Sequence, residues 1–163
     1  MNIQTLNKKI DLLENAIILG TGAYFEFNVT KNVIPGKIYE NIGDEEICVN
    51  DKFNLPENAK YTDLVKCCCD VLPDEEKEGF MEFFNLDKMA RAYKNGVNHL
   101  RYTYWTSNIF SKSLLAEQHI ILYEDDETKD LLAFTYIMDL TEPEEHLKKL
   151  SEERAFLDVL CRD

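Results

Sequence analysis

The amino-acid sequence predicts an α+β domain in which one antiparallel sheet carries short helices on one face. Apolar residues recur at helical spacing near the N-terminus and between residues 61 and 93, whereas they alternate with period two around residue 25 and beyond residue 98. The later strand-like runs are joined by short polar turns, which favours an antiparallel meander. At 163 residues and 45% hydrophobic composition, the chain is long enough to bury one core.

The N-terminal segment has the pattern of an amphipathic helix followed by a strand. The predicted helix occupies residues 1–19, and its apolar positions are spaced by four, three and four residues: Leu6, Ile10, Leu13 and Ile17. Alternation over residues 23–29 then predicts a strand. A second strand or hairpin partner is predicted over residues 33–42, and residues 43–60 are predicted to be irregular because they are polar and rich in breakers.

The middle of the chain predicts several short helices. The first covers residues 61–72, with Thr62 as its cap. Pro73 opens the next, because proline is tolerated in a first helical turn. Asn85 caps a third helix, which ends at Asn95-Gly96 in a left-handed stop.

Three long strands and a terminal helix complete the pattern. The strands are predicted at residues 99–105, 114–123 and 131–138, with a polar hairpin loop over residues 124–130. Together with the two earlier strands they predict a five-stranded sheet, flanked by amphipathic helices at the N- and C-termini.

The junction Asp139-Leu140-Thr141 is predicted to join the last strand to the closing helix. Thr141 and Glu144 have the spacing of a capping box, and such a cap contributes about 0.5–2 kcal/mol. Asp139 has the chemistry to accept a hydrogen bond or to pair with Arg101 or a lysine of the closing helix. The helix then carries a heptad-like series: Leu147, Leu150, Arg154, Leu157 and Cys161. It is expected either to leave the domain as a connector or to fold back on its own sheet.

This closing region resembles the end of PAS sensor modules. The resemblance is carried by Tyr102-Thr103-Tyr104-Trp105, the strand ending at Tyr123, the acidic hairpin and the Asp139-Leu140-Thr141-Glu142 sequence. It covers residues 20 to 142, and the order of helices and strands is also that of a PAS domain. The resemblance implies a sensor domain over residues 20–141 and a signalling helix over residues 142–163. It also implies that Asp139, Thr141 and Glu144 transmit a signal.

Composition excludes several classes of partner. With 31 acidic and 18 basic residues, the net charge of −13 opposes nucleic acid and anionic membrane surfaces. No apolar run reaches the roughly 20 residues that a membrane span needs, and the N-terminus lacks a signal-peptide pattern. Five cysteines without framework spacing indicate free thiols in a reducing compartment, so the segment is predicted to be cytoplasmic.

The sequence contains no catalytic constellation of base, nucleophile and orienting group. His99 and His119 fall on neighbouring predicted strands, but a zinc site would need further ligands. Within the resemblance, Cys67-Cys68-Cys69 lacks the surroundings of a flavin-reactive cysteine, and residues 61–93 contain no histidine to bind haem. No cofactor, metal or catalytic residue is therefore predicted, and redox sensing by the cysteine triplet stays open.

A small-molecule cavity between helices and sheet is the remaining candidate site. Its walls are expected to be aromatic and apolar side chains from both layers: Phe25, Phe27, Phe84, Met89, Tyr93, Tyr102, Tyr104 and His119. Ordinary core packing is the alternative for the same residues.

The resemblance implies a sensory and dimerisation domain of a larger bacterial signalling protein, with a diguanylate cyclase or histidine kinase as output. The terminal helices predict a homodimer. A ligand-free protein-interaction module is the first alternative, and a small α+β enzyme or lipid-binding fold is the second.

Overall fold

The structure is a computed structural model that describes residues 3–18, 23–42, 45–107 and 113–140. Its helices are α1 (Ile3–Ile18), α2 (Val49–Lys52), α3 (Tyr61–Asp70), α4 (Asp74–Phe83) and α5 (Leu86–Lys94). Its strands are β1 (Ala23–Asn28), β2 (Tyr39–Ile42), β3 (Glu45–Cys48), β4 (His99–Ser107), β5 (Ser113–Glu124) and β6 (Leu131–Asp139).

The strands form one antiparallel sheet in the order β3-β2-β1-β6-β5-β4. The predicted meander of the last three strands is confirmed. The first strand, β1, returns to pair with the last strand, β6, in the register Phe25 to Thr135. This closure places the end of β6 between β1 and β5, in the middle of the sheet.

Both faces of the sheet are covered by apolar packing. The inner face carries α2 to α5 and the larger core, to which alternate residues of β5 contribute Ala116, Ile120 and Leu122. The outer face carries α1 and a smaller cluster: Leu12, Tyr123, Leu132, Phe134 and Tyr136. The predicted α+β architecture with helices on one face is confirmed, and α1 adds a partial second layer.

The region between β1 and α3 is more regular than predicted. Val33 makes only an isolated bridge to Asn28, and the predicted second strand is shortened to β2. Residues 45–52, predicted to be irregular, instead form β3 and α2. The sheet therefore has six strands among the described residues, one more than predicted. The pairing of β3 with β2 was hidden because each strand is only four residues long and β3 begins with two charged residues, Glu45 and Glu46.

Two helix N-termini are capped by asparagine side chains, one as predicted and one by a residue that was not predicted. The Asn85 side chain accepts a hydrogen bond from the Lys88 backbone N–H at 3.1 Å, as predicted. Thr62 does not cap α3, because the helix already begins at Tyr61. Instead, the Thr62 N–H donates to the Asn32 Oδ1 at 3.0 Å, so a side chain from the loop after β1 caps the helix. Gly96 has φ 84°, which is the predicted left-handed stop.

Helix α1 presents its apolar stripe outward more than its pattern predicts. Leu6 and Ile10 are 48% and 44% exposed, and Ile3 is also exposed. Among residues 3–12, Thr5 and Leu12 are buried, and Lys9 pairs with Glu26 of β1 at 2.9 Å; the side chains of the predicted stripe residues Leu13 and Ile17 lie outside the described part. The division of the chain at residues 19 and 141 stays a prediction.

Candidate functional site

The inner face of the sheet and the short helices enclose a cavity of about 130 Å³. The sheet contributes Phe25, Glu40, Tyr104, Thr106, Ala116 and Ile137 to its wall. The helical layer and its loops contribute Ile38, Val49, Lys52, Phe53, Leu64, Cys68, Val71, Leu72 and Phe80. The wall is mainly apolar, as in most small-molecule sites.

Burial shifts the pKa of polar groups in the wall, including Glu40 and Cys68. Burial raises the pKa of Glu40, and nearby Lys52 partly offsets that rise. Burial is also the main reason that the pKa of the Cys68 thiol rises to about 12. Cys68 is therefore a protonated thiol at neutral pH, so it lacks the thiolate that a nucleophile or redox sensor needs.

The structure distributes the residues predicted to bind a ligand over several environments. Phe25 and Tyr104 line the cavity. Phe27 stacks on Tyr61 with ring centres 3.9 Å apart. The others on the inner face are packing residues beyond the cavity wall: Phe84 and Met89 are buried in the core, while Tyr93 and Tyr102 are half-buried against it.

His119 lies on the opposite face of the sheet from the cavity. Its neighbours Gln118 and Ile120 point inward, so the alternation of the strand sends the His119 side chain outward. There its ring stacks on Tyr136 with centres 4.7 Å apart. The prediction that His119 lines the cavity is therefore wrong, because both faces of β5 carry apolar residues and the sequence pattern does not distinguish them.

A chain of buried hydrogen bonds connects the cavity wall to β6. The Tyr104 hydroxyl donates to the Gln118 Oε1 at 3.0 Å, and the Gln118 Nε2 donates to the Thr135 hydroxyl. Thr135 in turn donates to the backbone carbonyl of His119 at 2.8 Å. Gln118 and Thr135 are 3% and 1% exposed. Sequence reasoning missed both, although a glutamine among inward-facing Ala116, Ile120 and Leu122 is a detectable irregularity.

Close to this series of hydrogen bonds, the Tyr61 hydroxyl is buried and has no hydrogen-bond partner among the described residues. Burial, followed by the proximity of Cys68 and Tyr104, raises the pKa of Tyr61 well above its usual value. Since Cys68 and Tyr104 line the cavity, the unpaired hydroxyl lies close to the cavity wall.

The predicted transmission residues lie at the limit of the described chain. Asp139 is the last residue of β6 and is opposite Ala116, which lines the cavity. The Leu140 N–H donates to the Leu115 carbonyl at 2.7 Å, so the pairing with β5 continues one residue further. The Asp139 side chain, Thr141 and Glu144 lie outside the described residues, and their roles stay predictions.

The order of elements follows the one that the resemblance implies, a leading helix, strands, short helices and an antiparallel meander of three strands, but three strands instead of two precede the short helices. The meander closes on β1, and the helices cover the inner face. The fold is PAS-like.

Solved PAS structures are among those similar to this chain. One is the N-terminal domain of a Marinobacter aquaeolei diguanylate cyclase with PAS/PAC sensor, at 10% identity and TM-score 0.43, covering 73% of this chain and 94% of that one. A sensory box histidine kinase/response regulator from Burkholderia thailandensis has 11% identity and TM-score 0.43, covering 90% and 97%. The PAS domain of Bordetella pertussis BvgS has 15% identity and TM-score 0.42, covering 89% and 97%. No family model and no curated protein matches the sequence.

Across residues 3–18, 23–42, 45–107 and 113–140, no three His, Cys, Asp or Glu side chains are grouped to hold a metal ion. Within the same ranges, no helix combines the length and the apolar character that crossing a membrane requires.

Proposed function

We propose that the chain is a cytoplasmic sensory and dimerisation domain of a larger bacterial signal-transduction protein. In this proposal the inner cavity binds a small molecule, and β6 relays the bound state through Asp139-Leu140-Thr141 to a C-terminal output such as a diguanylate cyclase or histidine kinase. The observation that carries the proposal is the hydrogen-bonded chain from Tyr104 in the cavity wall to Thr135 of β6.

The cavity defines the class of ligand. Its volume of about 130 Å³ is close to that of engineered apolar cavities that bind benzene, which measure about 150 Å³. We therefore expect a compact, mainly apolar molecule of one ring or a short branched chain. Glu40 and Lys52 provide polar contacts for a single donor or acceptor group.

The relay needs two arrangements of the same strand that the ligand favours to different extents. Phe25 and Ile137 also line the cavity, on the two paired strands β1 and β6. A ligand that contacts Ile137 thus acts directly on β6. A ligand that contacts Tyr104 acts on β6 through the hydrogen bonds of Gln118 to Thr135. Ile137 lies two residues before Asp139.

Dimerisation is supported by the exposed stripe of α1. Ile3, Leu6 and Ile10 are 75%, 48% and 44% exposed, and they lie on one side of the helix at spacings of three and four. A second copy of the chain would cover them. A double substitution, Leu6→Glu with Ile10→Glu, should then shift the protein from dimer to monomer in sedimentation velocity.

The ligand proposal is tested by thermal unfolding with toluene and indole as probes. At a probe concentration of 100 times Kd, mass action stabilises the folded state by about 2.7 kcal/mol, which corresponds to roughly 5–10 °C. Ala116→Val adds two methyl groups at the cavity wall and should abolish the shift. Ala90→Val makes the same chemical change on the exposed side of α5 and should leave it intact.

The alternatives make different predictions in the same experiments. A ligand-free interaction module would show no probe-induced shift and no co-purifying molecule in native mass spectrometry. If a probe raised the unfolding temperature of Ala116→Val as much as that of the unmodified protein, the probe would bind outside the cavity, and the proposed cavity site would be refuted. An enzyme would use Glu40 and Lys52, the titratable pair at the cavity, to convert a bound molecule, and product formation would distinguish it.

The relay is tested in the full-length protein. Asp139→Ala should uncouple output activity from the signal while the circular dichroism spectrum of the domain stays unchanged. Unchanged output in that variant would show that the relay does not pass through Asp139.

A further inference from the structure

Two histidines form a direct contact on the outer face of the sheet, away from the cavity. The Nε2 of His99 on β4 lies 2.9 Å from the Nδ1 of His119 on β5. The other ring nitrogen of His119, Nε2, lies 2.6 Å from a carboxylate oxygen of Glu117. His119 is 5% exposed, whereas His99 is at the surface.

The hydrogen-bond partners define where the protons are at neutral pH. The Glu117 carboxylate only accepts, so the His119 Nε2 carries a hydrogen and donates to it. In a neutral imidazole the Nδ1 is then bare and accepts a hydrogen bond. The partner is the Nε2–H of His99, which completes the order His99 to His119 to Glu117.

The surroundings hold His119 in place, whereas the His99 side chain is exposed. The His119 ring is stacked on Tyr136 of β6 at an interplanar angle of 6°. Among the described residues, three charged or titratable groups act on the pair: Arg101 of β4, Glu117 of β5 and Tyr136 of β6. Arg101 lies directly opposite His119, so positive charge is already present beside it.

We propose that His99 and His119 form a proton-operated latch that holds the start of β4 against β5. The latch is closed while one hydrogen is shared between the two facing nitrogens. When both rings are fully protonated, two N–H groups oppose each other across 2.9 Å. The contact then breaks, and the exposed His99 side chain is the one that moves away, because His119 is held by Glu117 and Tyr136. This inference is independent of any ligand in the cavity.

The electrostatics give the direction of the pH effect. Burial, then the nearby His119, then Arg101 hold the pKa of His99 below its usual value of 6.5, against the opposing effect of Glu117. The unfolded chain therefore binds a proton more readily at His99 than the folded chain does. The contribution of the neutral His99 to the unfolding free energy is fully present above pH 6.5, and it is lost as the pH falls towards the depressed pKa of His99.

A backbone hydrogen bond next to the latch reports its state. The Leu122 N–H donates to the carbonyl of Asn98, the residue before His99, at 2.8 Å. Amide exchange corrected for intrinsic rates measures how often this bond opens. Between pH 7.5 and 5.5 we expect the Leu122 protection factor to fall roughly fivefold, the size of one net hydrogen bond. The internal control is the Val29 N–H, one residue after β1, which donates to the Leu131 carbonyl of β6 at 2.8 Å and should not change.

The variant His99→Gln separates protonation from packing. A glutamine amide can donate to a bare His119 Nδ1 or, after rotating, accept from a protonated one through its oxygen, so the contact survives in both states and the pH dependence at Leu122 should disappear. Nitrogen-15 NMR of the imidazoles in a His146→Gln background, which removes the third histidine of the chain, should show His119 protonated at Nε2 and bare at Nδ1 at pH 7.5.

Three results would overturn the inference. The first is a Leu122 protection factor that does not change between pH 7.5 and 5.5 in the unmodified chain. The second is an equal fall in His99→Gln. The third is an NMR spectrum in which His119 carries its hydrogen on Nδ1 at pH 7.5, because that nitrogen must accept from His99.

Discussion

Removing one oxygen atom from the core should make this protein more stable. The Tyr61 side chain is 2% exposed, its ring stacks on Phe27 at 3.9 Å, and its hydroxyl has no hydrogen-bond partner among the described residues. Tyr61→Phe keeps the stacked ring and deletes only the hydroxyl. A buried hydroxyl that exchanges water for no partner costs about 1–3 kcal/mol, so we expect a gain in unfolding free energy of that size.

Urea unfolding followed by circular dichroism measures this gain as a higher midpoint at constant slope. The midpoint temperature of thermal unfolding should rise by about 2–12 °C, since 1 kcal/mol corresponds to roughly 2–4 °C in a chain of this length. Tyr104→Phe is the matched control. It removes a hydroxyl that does have a partner, the Gln118 Oε1 at 3.0 Å, and should lower stability by about 1–3 kcal/mol.

The opposite sign at Tyr61 would refute the reasoning. If Tyr61→Phe were destabilised as much as Tyr104→Phe, the Tyr61 hydroxyl would have a partner in solution, such as an interior water or a bound molecule. Comparing the two variants with and without toluene would then separate these sources, because only a bound molecule competes with the probe.

Three further perturbations follow from the packing and the charges. Met89→Ala should lose about 2–5 kcal/mol of unfolding free energy in urea, because the Met89 side chain is fully buried. A Cβ added at Gly79 would lie 2.4 Å from the Tyr102 hydroxyl. Gly79→Ala should therefore raise the unfolding free energy by roughly 0.5–1 kcal/mol only in a Tyr102→Phe background, where that hydroxyl is absent. Equal effects of Gly79→Ala in both backgrounds would contradict this reasoning. The Asn28 side-chain hydrogen bond is the main cause that lowers the pKa of Asp130 below 3.8, so stability should fall as the pH drops below that value. Asp130→Asn should remove this part of the acid dependence in thermal unfolding.

The elements that the sequence predicted correctly are those with a strong period. Helices α3 to α5 and strands β4 to β6 each repeat their apolar residues over two turns or four alternations, so burial alone defines them. The β2–β3 hairpin was missed because its strands are short and their charged residues obscure the alternation.

The candidate site was predictable in location but not in composition. An aromatic sheet under short helices indicated a cavity, and Phe25 and Tyr104 do line it. Lys52 was not predicted, because it comes from α2, a helix of four residues that the sequence pattern does not show. His119 was predicted on the wrong face, because α1 makes the outer face of the sheet partly apolar and removes the usual contrast between faces.

The packing on both faces of the sheet restricts how it can move. In a strand, a shift of one residue exchanges the two faces. For β5, such a shift would bring Glu117 and His119 into the larger core and expose Ile120 and Leu122. Sliding of one strand past another is therefore prohibitively costly, whereas a change in twist or tilt keeps every side chain on its own face. In the proposed relay, a signal that leaves through the end of β6 is therefore a change in the twist or tilt of the sheet, and the angle of the chain at Leu140 is the quantity to measure.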